Sequence, residues 1–273
     1  MDGKKDGVTM IGFIGGGNMA EAMLKGMLAK GMRDVIVSEP RQDRRQQLAQ
    51  LYGINTTGDN LELINACDVI IVAIKPQTLA ALADETRAVD FTGKVIISIM
   101  AGINLSYLGK VFRGASVIRV MPNTPALEQE GMSVISVGEG VAEGVLSQAT
   151  GILDCIGKTL VLPESFMDAV TAVSGSGPAF IAYFVDAMID AGEGLGLGRD
   201  TAVMLAIQTL VGTAKLLDSG IPPAAIVKMV ASPGGTTEAG LNVLNNSNVK
   251  GIVTQTLVAA CQRSVELGKK LGC

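Results

Sequence analysis

The sequence predicts an α/β domain built on a parallel sheet, followed by an all-α domain. Short Val/Ile-rich runs alternate with amphipathic stretches through the first part of the chain. That strand pattern stops after "KTLVLPES". Beyond it the chain reads as helices, several opened by proline and closed by glycine. These observations place a boundary near Leu162, giving residues 1–162 and 163–273.

The first element is the apolar run "VTMIGFI", Val8 to Ile14. "GGGNMA" follows at once, then "EAMLKGMLAKG", an amphipathic helix closed by Gly31. Gly15, Gly17 and Ala20 fill the positions of G-x-G-x-x-G/A, with Gly16, Asn18 and Met19 between them. Gly15 permits a tight turn. Gly17 has no Cβ, so a pyrophosphate can approach the backbone at a helix N-terminus. Ala20 is small enough for the helix to lie on the strand. A glycine turn alone could be structural. The strand before it, the helix after it and a second strand "DVIVSE" favour a dinucleotide site.

After that second strand comes "SEPRQDRR". Glu39 lies 19 residues beyond Ala20, where an acid grips a ribose 2′-OH. Ser38, Arg41, Arg44 and Arg45 would favour a 2′-phosphate instead. Arg44 and Arg45 read better as solvated charges on a first helical turn. Both NADH and NADPH stay open on the residues alone.

Further strand-like runs keep the α/β rhythm: "DVIIVAI" at Asp68, "KVIISIM" at Lys94, "SVIRVM" at Ser116 and "SVISVG" at Ser133. Near-continuous Val/Ile suits a parallel sheet buried on both faces. Ligands in such sheets sit beyond the strand carboxyl ends. "AIKPQ", "IMAG" and "MPNTP" are therefore suspects. Lys75, held by Pro76 in the turn, reads as a cofactor contact. Asn123, between two prolines, is either a site amide or a loop fastener.

In the second half, "AVMLAIQTLV" is apolar nearly all round, which predicts burial on every side and interleaving with a second subunit. "SGSGPA", Ser174 to Ala179, reads as a break between helices, flexible or closely approached by another group. "SPGGTT", Ser232 to Thr237, has no charge, two glycines and three hydroxyls. It offers backbone groups and hydroxyls but no ionic side chain to whatever it holds.

Composition narrows the function. The net charge is −4, against a nucleic-acid surface. There is no histidine, which removes His-based triads and most metal sites, and no metal is expected. Four cysteines without CxxC spacing argue against disulfides and zinc and for a reducing cytoplasm. The mean hydropathy of +0.40 is high for a soluble monomer. The longest uncharged run, Ala169 to Val185, is broken by "SGSGP", so the surplus reads as a subunit interface and not a membrane span. The start "MDGKKDG" is polar, reads as frayed, and shows no signal peptide.

Taken together, "FIGGGNMAEA", "AIKPQ", "VIRVMPNTPA", "AVSGSGPAF" and "ASPGGTT" resemble the pyrroline-5-carboxylate reductases, over nearly the whole chain beyond Thr9. The resemblance implies a Rossmann-like N-terminal domain, a helical C-terminal dimerisation domain, and homodimers, in some members assembled into decamers. It implies a hydride transfer from NADPH or NADH to the C=N bond of 1-pyrroline-5-carboxylate, yielding L-proline. By the same resemblance, Gly15 to Ala20 hold the pyrophosphate, Ser38 lies by the 2′ position, and Asn60 lies near the adenine side. Ala73, Ile74, Lys75 and Pro76, with Ile99, Met100 and Ala101, line the nicotinamide half. Ser232, Gly234, Gly235 and Thr236 bind the substrate carboxylate, and Thr237 its ring nitrogen. Glu164 matches a frequently acidic position. Glu39 departs from the NADPH habit of the family. A cyclic imine arrives protonated, so the absence of histidine is tolerable. The rival readings are another imine reductase, a β-hydroxyacid-type dehydrogenase, which would need a helix lysine absent from "SGSGPAFIAYFVDAM", and a non-catalytic NAD(P) sensor.

Overall fold

The computed structural model describes residues 9–270. The "MDGKKDG" start, Val8 and Cys273 lie outside the described residues. The strands are β1 (Ile11–Ile14), β2 (Val35–Ser38), β3 (Asn55–Thr57), β4 (Val69–Val72), β5 (Val95–Ser98), β6 (Ser116–Met121), β7 (Gly131–Val137) and β8 (Gly157–Val161). They form one sheet in the order β3-β2-β1-β4-β5-β6-β7-β8. The order reverses at β1, which pairs in parallel with both β2 and β4. The crevice beyond the carboxyl ends of β1 and β4 is thus the expected ligand position.

Two features differ from the sequence reading. The sheet is not wholly parallel: β7 begins at Gly131 and runs antiparallel to β6, with Arg119 opposite Ser136. The link "PNTPALEQE" is too short for the crossover that a parallel neighbour needs. The strand β3, "NTT", was not expected. It is short, polar and at the sheet edge, so it carries no apolar pattern to read.

Six helices accompany the sheet: α1 (Asn18–Ala29), α2 (Gln42–Tyr52), α3 (Asn60–Ala66), α4 (Leu79–Glu85), α5 (Leu105–Val111) and α6 (Glu143–Leu153). Strand alternation serves both faces. Phe13 packs with α1 and α6 residues such as Met23 and Ile152. Ile14, one residue on, packs with Leu63, Leu82 and Leu108 of α3, α4 and α5. This two-sided burial explains the unbroken Val/Ile runs.

The remaining helices are α7 (Met167–Val170), α8 (Gly177–Gly194), α9 (Arg199–Asp218), α10 (Pro223–Val230), α11 (Thr236–Asn246) and α12 (Val249–Lys270). Packing groups the chain into two compact units, residues 1–176 with 260–273, and residues 177–259. Within the first unit, Ser264 Oγ donates to Asp168 Oδ1 at 2.6 Å. The second unit buries little: its core cluster is Ile189, Ala202 and Ala206. The all-round burial expected of "AVMLAIQTLV" does not occur within one chain, since Met204 is 66% exposed. Two helical stretches, Glu164–Gly194 and Arg199–Asp218, are long and apolar enough to cross a membrane by length and composition alone. The break at "SGSGP" therefore does not divide the apolar run, because Thr171–Gly175 form a π-helical turn that continues it.

Candidate functional site

The parallel ladder steps outward at the carboxyl ends of the strands. Gly15 N–H donates to Ser38 O at 2.8 Å, and Ala73 N–H to Ile14 O at 2.9 Å. These bonds set the glycine turn between β2 and β4. Gly15 has φ +99°, and a Cβ there would stand 2.8 Å from Ala73 O. Gly17 differs: a Cβ there would meet open space. Gly17 is the N-cap of α1, and no side chain caps that helix. An uncapped helix start opening on free space fits a phosphate group.

Gly16 is held at both ends. Its N–H donates to Glu39 Oε2 at 3.0 Å. Its carbonyl accepts from Arg44 Nε at 2.8 Å, while Arg44 also pairs with Glu21. Arg44 and Arg45 are therefore not the solvated charges expected: both are half-buried, and Arg45 Nη1 donates to the carbonyls of Glu39 and Pro40. The network exists because the start of α2 lies over the loop, a tertiary fact no local pattern shows. Glu39 itself is only 6% exposed. Its Oε1 accepts from the Arg41 backbone N–H and from Arg41 Nε, at 3.2 and 3.0 Å. Burial raises its pKa, but the bonds from Gly16 and Arg41 outweigh this and hold the carboxyl below its usual range.

A cleft of about 660 Å³ starts from this loop and is lined by Gly15, Gly17, Ser38, Glu39, Arg41 and Asn60, among others. Asn60 sits at the start of α3 because Asp59 caps that helix, accepting from Leu61 and Glu62 N–H. Ser38 Oγ donates to Asn60 Oδ1 at 2.7 Å, and Asn60 Nδ2 donates to Glu85 Oε2 at 2.8 Å. Glu85, at the end of α4, was not foreseen: nothing in its own stretch marks it apart from any exposed helix acid.

A second cleft of about 340 Å³ shares Gly17, Ala73, Ile74 and Lys75 with the first. It adds Asn18, Met19, Pro76, Ile99, Met100 and Ala101, with Met121 and Pro122 of "MPNTP". All expected cofactor residues thus come together except two. Gly16 and Ala20 are buried behind the wall, bracing the loop and the helix.

Asn123 is a fastener. Its Oδ1 accepts from Met132 N–H at 2.8 Å, and its Nδ2 donates to Ser174 O and Oγ. Gly175, in the π-helical turn, lies against Met121: a Cβ there would be 2.6 Å from Met121 Cε. Of the two glycines of "SGSGPA", Gly175 therefore marks a close approach, while a Cβ at Gly177 would meet open space. Glu164 is a brace, accepting from Arg119 Nη1 at 2.9 Å and Leu105 N–H at 2.8 Å. It fastens the buried Arg119 of β6 to the start of α5.

"SPGGTT" joins α10 to α11 in the second unit. Gly235 is the N-cap of α11, with no side-chain cap, so neither Ser232 nor Thr236 has that role. Gly234 takes φ +70°. Ser232 O accepts from Gly235 N–H at 3.0 Å. Thr236 is exposed and Thr237 half-buried. The stretch is uncharged, but Glu238 folds back so that Gly234 N–H donates to its Oε2 at 2.7 Å. The loop already holds a carboxylate of its own.

The chain matches two family models. Residues 164–267 match pyrroline-5-carboxylate reductase dimerisation, and residues 10–102 match NADP oxidoreductase coenzyme F420-dependent. A pyrroline-5-carboxylate reductase of Synechocystis sp. is 41% identical, covering 95% of this chain and 98% of that protein. One from Methanosarcina acetivorans is 37% identical, covering 95% and 98%. A solved pyrroline-5-carboxylate reductase of Coxiella burnetii has a TM-score of 0.90 at 31% identity, covering 95% and 98%. The Plasmodium falciparum pyrroline carboxylate reductase, solved with NADP bound, has a TM-score of 0.85 at 29% identity, with the same coverage.

Proposed function

This chain belongs to the pyrroline-5-carboxylate reductase family, and from that membership we propose which of its residues carry the reaction. The enzyme reduces 1-pyrroline-5-carboxylate to L-proline with NAD(P)H. The single observation that supports the cofactor assignment is the uncapped start of α1 at Gly17, open to a cleft lined by the expected residues. Gly17, Asn18 and Met19 would hold the pyrophosphate with their amides, and Gly15, Gly16 and Ala20 would keep the turn in shape. Ser38, Arg41 and Asn60 would meet the ribose end. Ala73, Ile74, Lys75, Pro76, Ile99, Met100 and Ala101 would face the nicotinamide half. NAD(P)H, when bound, supplies the hydride to the imine carbon.

The substrate's carboxylate is assigned to Ser232, Gly234, Gly235 and Thr236, and its ring nitrogen to the Thr237 hydroxyl. The supporting observation is Glu238: the loop accommodates a carboxylate oxygen at hydrogen-bond distance from Gly234 N–H. The iminium nitrogen brings its own proton, and the C=N π pair becomes the lone pair of the product amine. The chain has no histidine to act as acid, and this reaction asks for none. What the residues supply is orientation, which can lower a barrier by up to about 7–11 kcal/mol.

The helical part, read as residues 163–273 after a domain of 1–162, is the assembly surface. Its exposed apolar side chains and the dimerisation match support self-association. We take the homodimer as the unit, with a decamer as the larger form, in a reducing cytoplasm where Cys67, Cys155 and Cys261 stay free.

NADH and NADPH oxidation with 1-pyrroline-5-carboxylate tests the reaction directly. Thr237→Ala should lower kcat/KM by about 1–3 kcal/mol, the loss typical of a hydrogen bond to a charged partner. Unchanged kinetics would remove Thr237 from the site.

A further inference from the structure

We propose that the ribose end of the cleft is built for an unphosphorylated ribose and disfavours a 2′-phosphate, with Glu85, acting beside Asn60, as a specificity-determining residue. This rests on the assignment of the cleft to a dinucleotide.

The argument compares what each ligand needs with what the wall offers. A ribose diol brings two O–H donors and asks for acceptors. A 2′-phosphate brings oxygen acceptors and a charge of about −1.5 to −2, and asks for donors and cations. The arginines of "SEPRQDRR" looked suited to the phosphate, yet the structure gives each a protein partner, Arg41 through its Nε. Arg41 donates to Glu39, Arg44 to Gly16 O and Glu21, and Arg45 to the carbonyls of Glu39 and Pro40. Of these, Arg41 lines the cleft, and Glu39 balances its charge.

The neutral donors are committed as well. Ser38 Oγ–H points to Asn60 Oδ1, and Asn60 Nδ2 to Glu85. The direction of this chain matters. Glu85 can only accept, so it fixes which end of the Asn60 amide faces it. The Oδ1 end then faces Ser38 and takes its proton, leaving the Ser38 oxygen with lone pairs to offer. With Glu39 and Arg41 offsetting one another, the carboxylate of Glu85 leaves the ribose end acceptor-rich. Lys75 also lines the cleft, but in the part shared with the second cleft near Gly17.

The test is equilibrium binding of NADH and NADPH to the full-length protein without substrate, followed by nicotinamide fluorescence. NADH should bind at least about tenfold more tightly at low salt, and the gap should narrow as salt screens the repulsion. Glu85→Gln keeps a hydrogen-bonding side chain and removes the charge. It should tighten NADPH about three- to tenfold and leave NADH within about twofold. Glu85 is exposed, so the variant should melt with the parent. NADPH binding as tight as NADH, or Glu85→Gln shifting both nucleotides alike, overturns the proposal while leaving the cleft assignment in place. If Gly17→Val leaves both nucleotides bound as before, the cleft assignment itself falls, and the proposal with it.

Discussion

Gly15 and Gly17 both belong to the glycine fingerprint, yet the structure gives them different burdens, and replacing each by alanine should separate folding from binding. Gly15 takes φ +99°, outside the range of L-residues, which costs about 1–2 kcal/mol for alanine. The new methyl would also sit 2.8 Å from Ala73 O and 3.0 Å from Ala73 C. Both are backbone atoms at the end of β4 and cannot swing aside, adding about 1–3 kcal/mol. Gly15→Ala should therefore lose about 2–5 kcal/mol of stability, seen as a melting temperature lower by about 5–15 °C. Gly17 takes φ −72° and ψ −177°, ordinary for alanine, and its Cβ would touch nothing. A poorer N-cap and a less flexible unfolded chain roughly cancel, so Gly17→Ala should stay within about 0.5 kcal/mol of the parent. Its methyl would instead stand where a pyrophosphate approaches the backbone, weakening dinucleotide binding at least about tenfold. Urea unfolding and fluorescence titration read the two effects apart. Gly17→Ala losing as much stability as Gly15→Ala, or binding nucleotide as before, would refute the reasoning.

Other expectations follow from single contacts. Glu238→Gln removes the charge beside Gly234 N–H, so an anionic substrate should bind with a KM lower by about two- to fivefold and little change in kcat; a higher KM would mean that Glu238 props the loop. Gly175→Ala should push the Met121 side chain toward the second cleft, weakening nicotinamide binding with a stability loss under about 1.5 kcal/mol, since the obstructing atom is the end of a flexible side chain. Glu21 is held below its usual carboxyl range by the Arg44 hydrogen bond, burial opposing and Tyr52 assisting. A lowered folded-state pKa gives stability that is full above the unfolded value and lost as pH falls through the folded one. Stability should thus decline with acid from about pH 4.3 downward, and Glu21→Gln should flatten that decline in urea titrations.

The strand runs, the glycine turn and the helices were legible because they repeat with a local period, and a period survives in one dimension. Lys75, Ile99 and Met100 could be named as site candidates for the same reason: the residues after buried parallel strands must lie at one edge. The strand β3 escaped because three polar residues at an edge show no period. The direction of β7 escaped because it depends on the length of a link and not on the strand's own residues.

The electrostatics of the site belonged to the tertiary structure. In sequence, "SEPRQDRR" offers three cations and two acids in apparent competition. Only the fold, by laying α2 over the glycine turn, gives Arg44 to Gly16 and Glu21 and closes Arg41 on Glu39. Glu85 and Asn60 are 25 positions apart, and Glu164 and Arg119 are 45 apart. Hydrogen bonds form between whichever groups the packing of helices on a sheet brings within about 3 Å, and no local pattern records those partners. The sequence by itself determined where backbone could meet a ligand; the three-dimensional arrangement decided which charges remain to greet it.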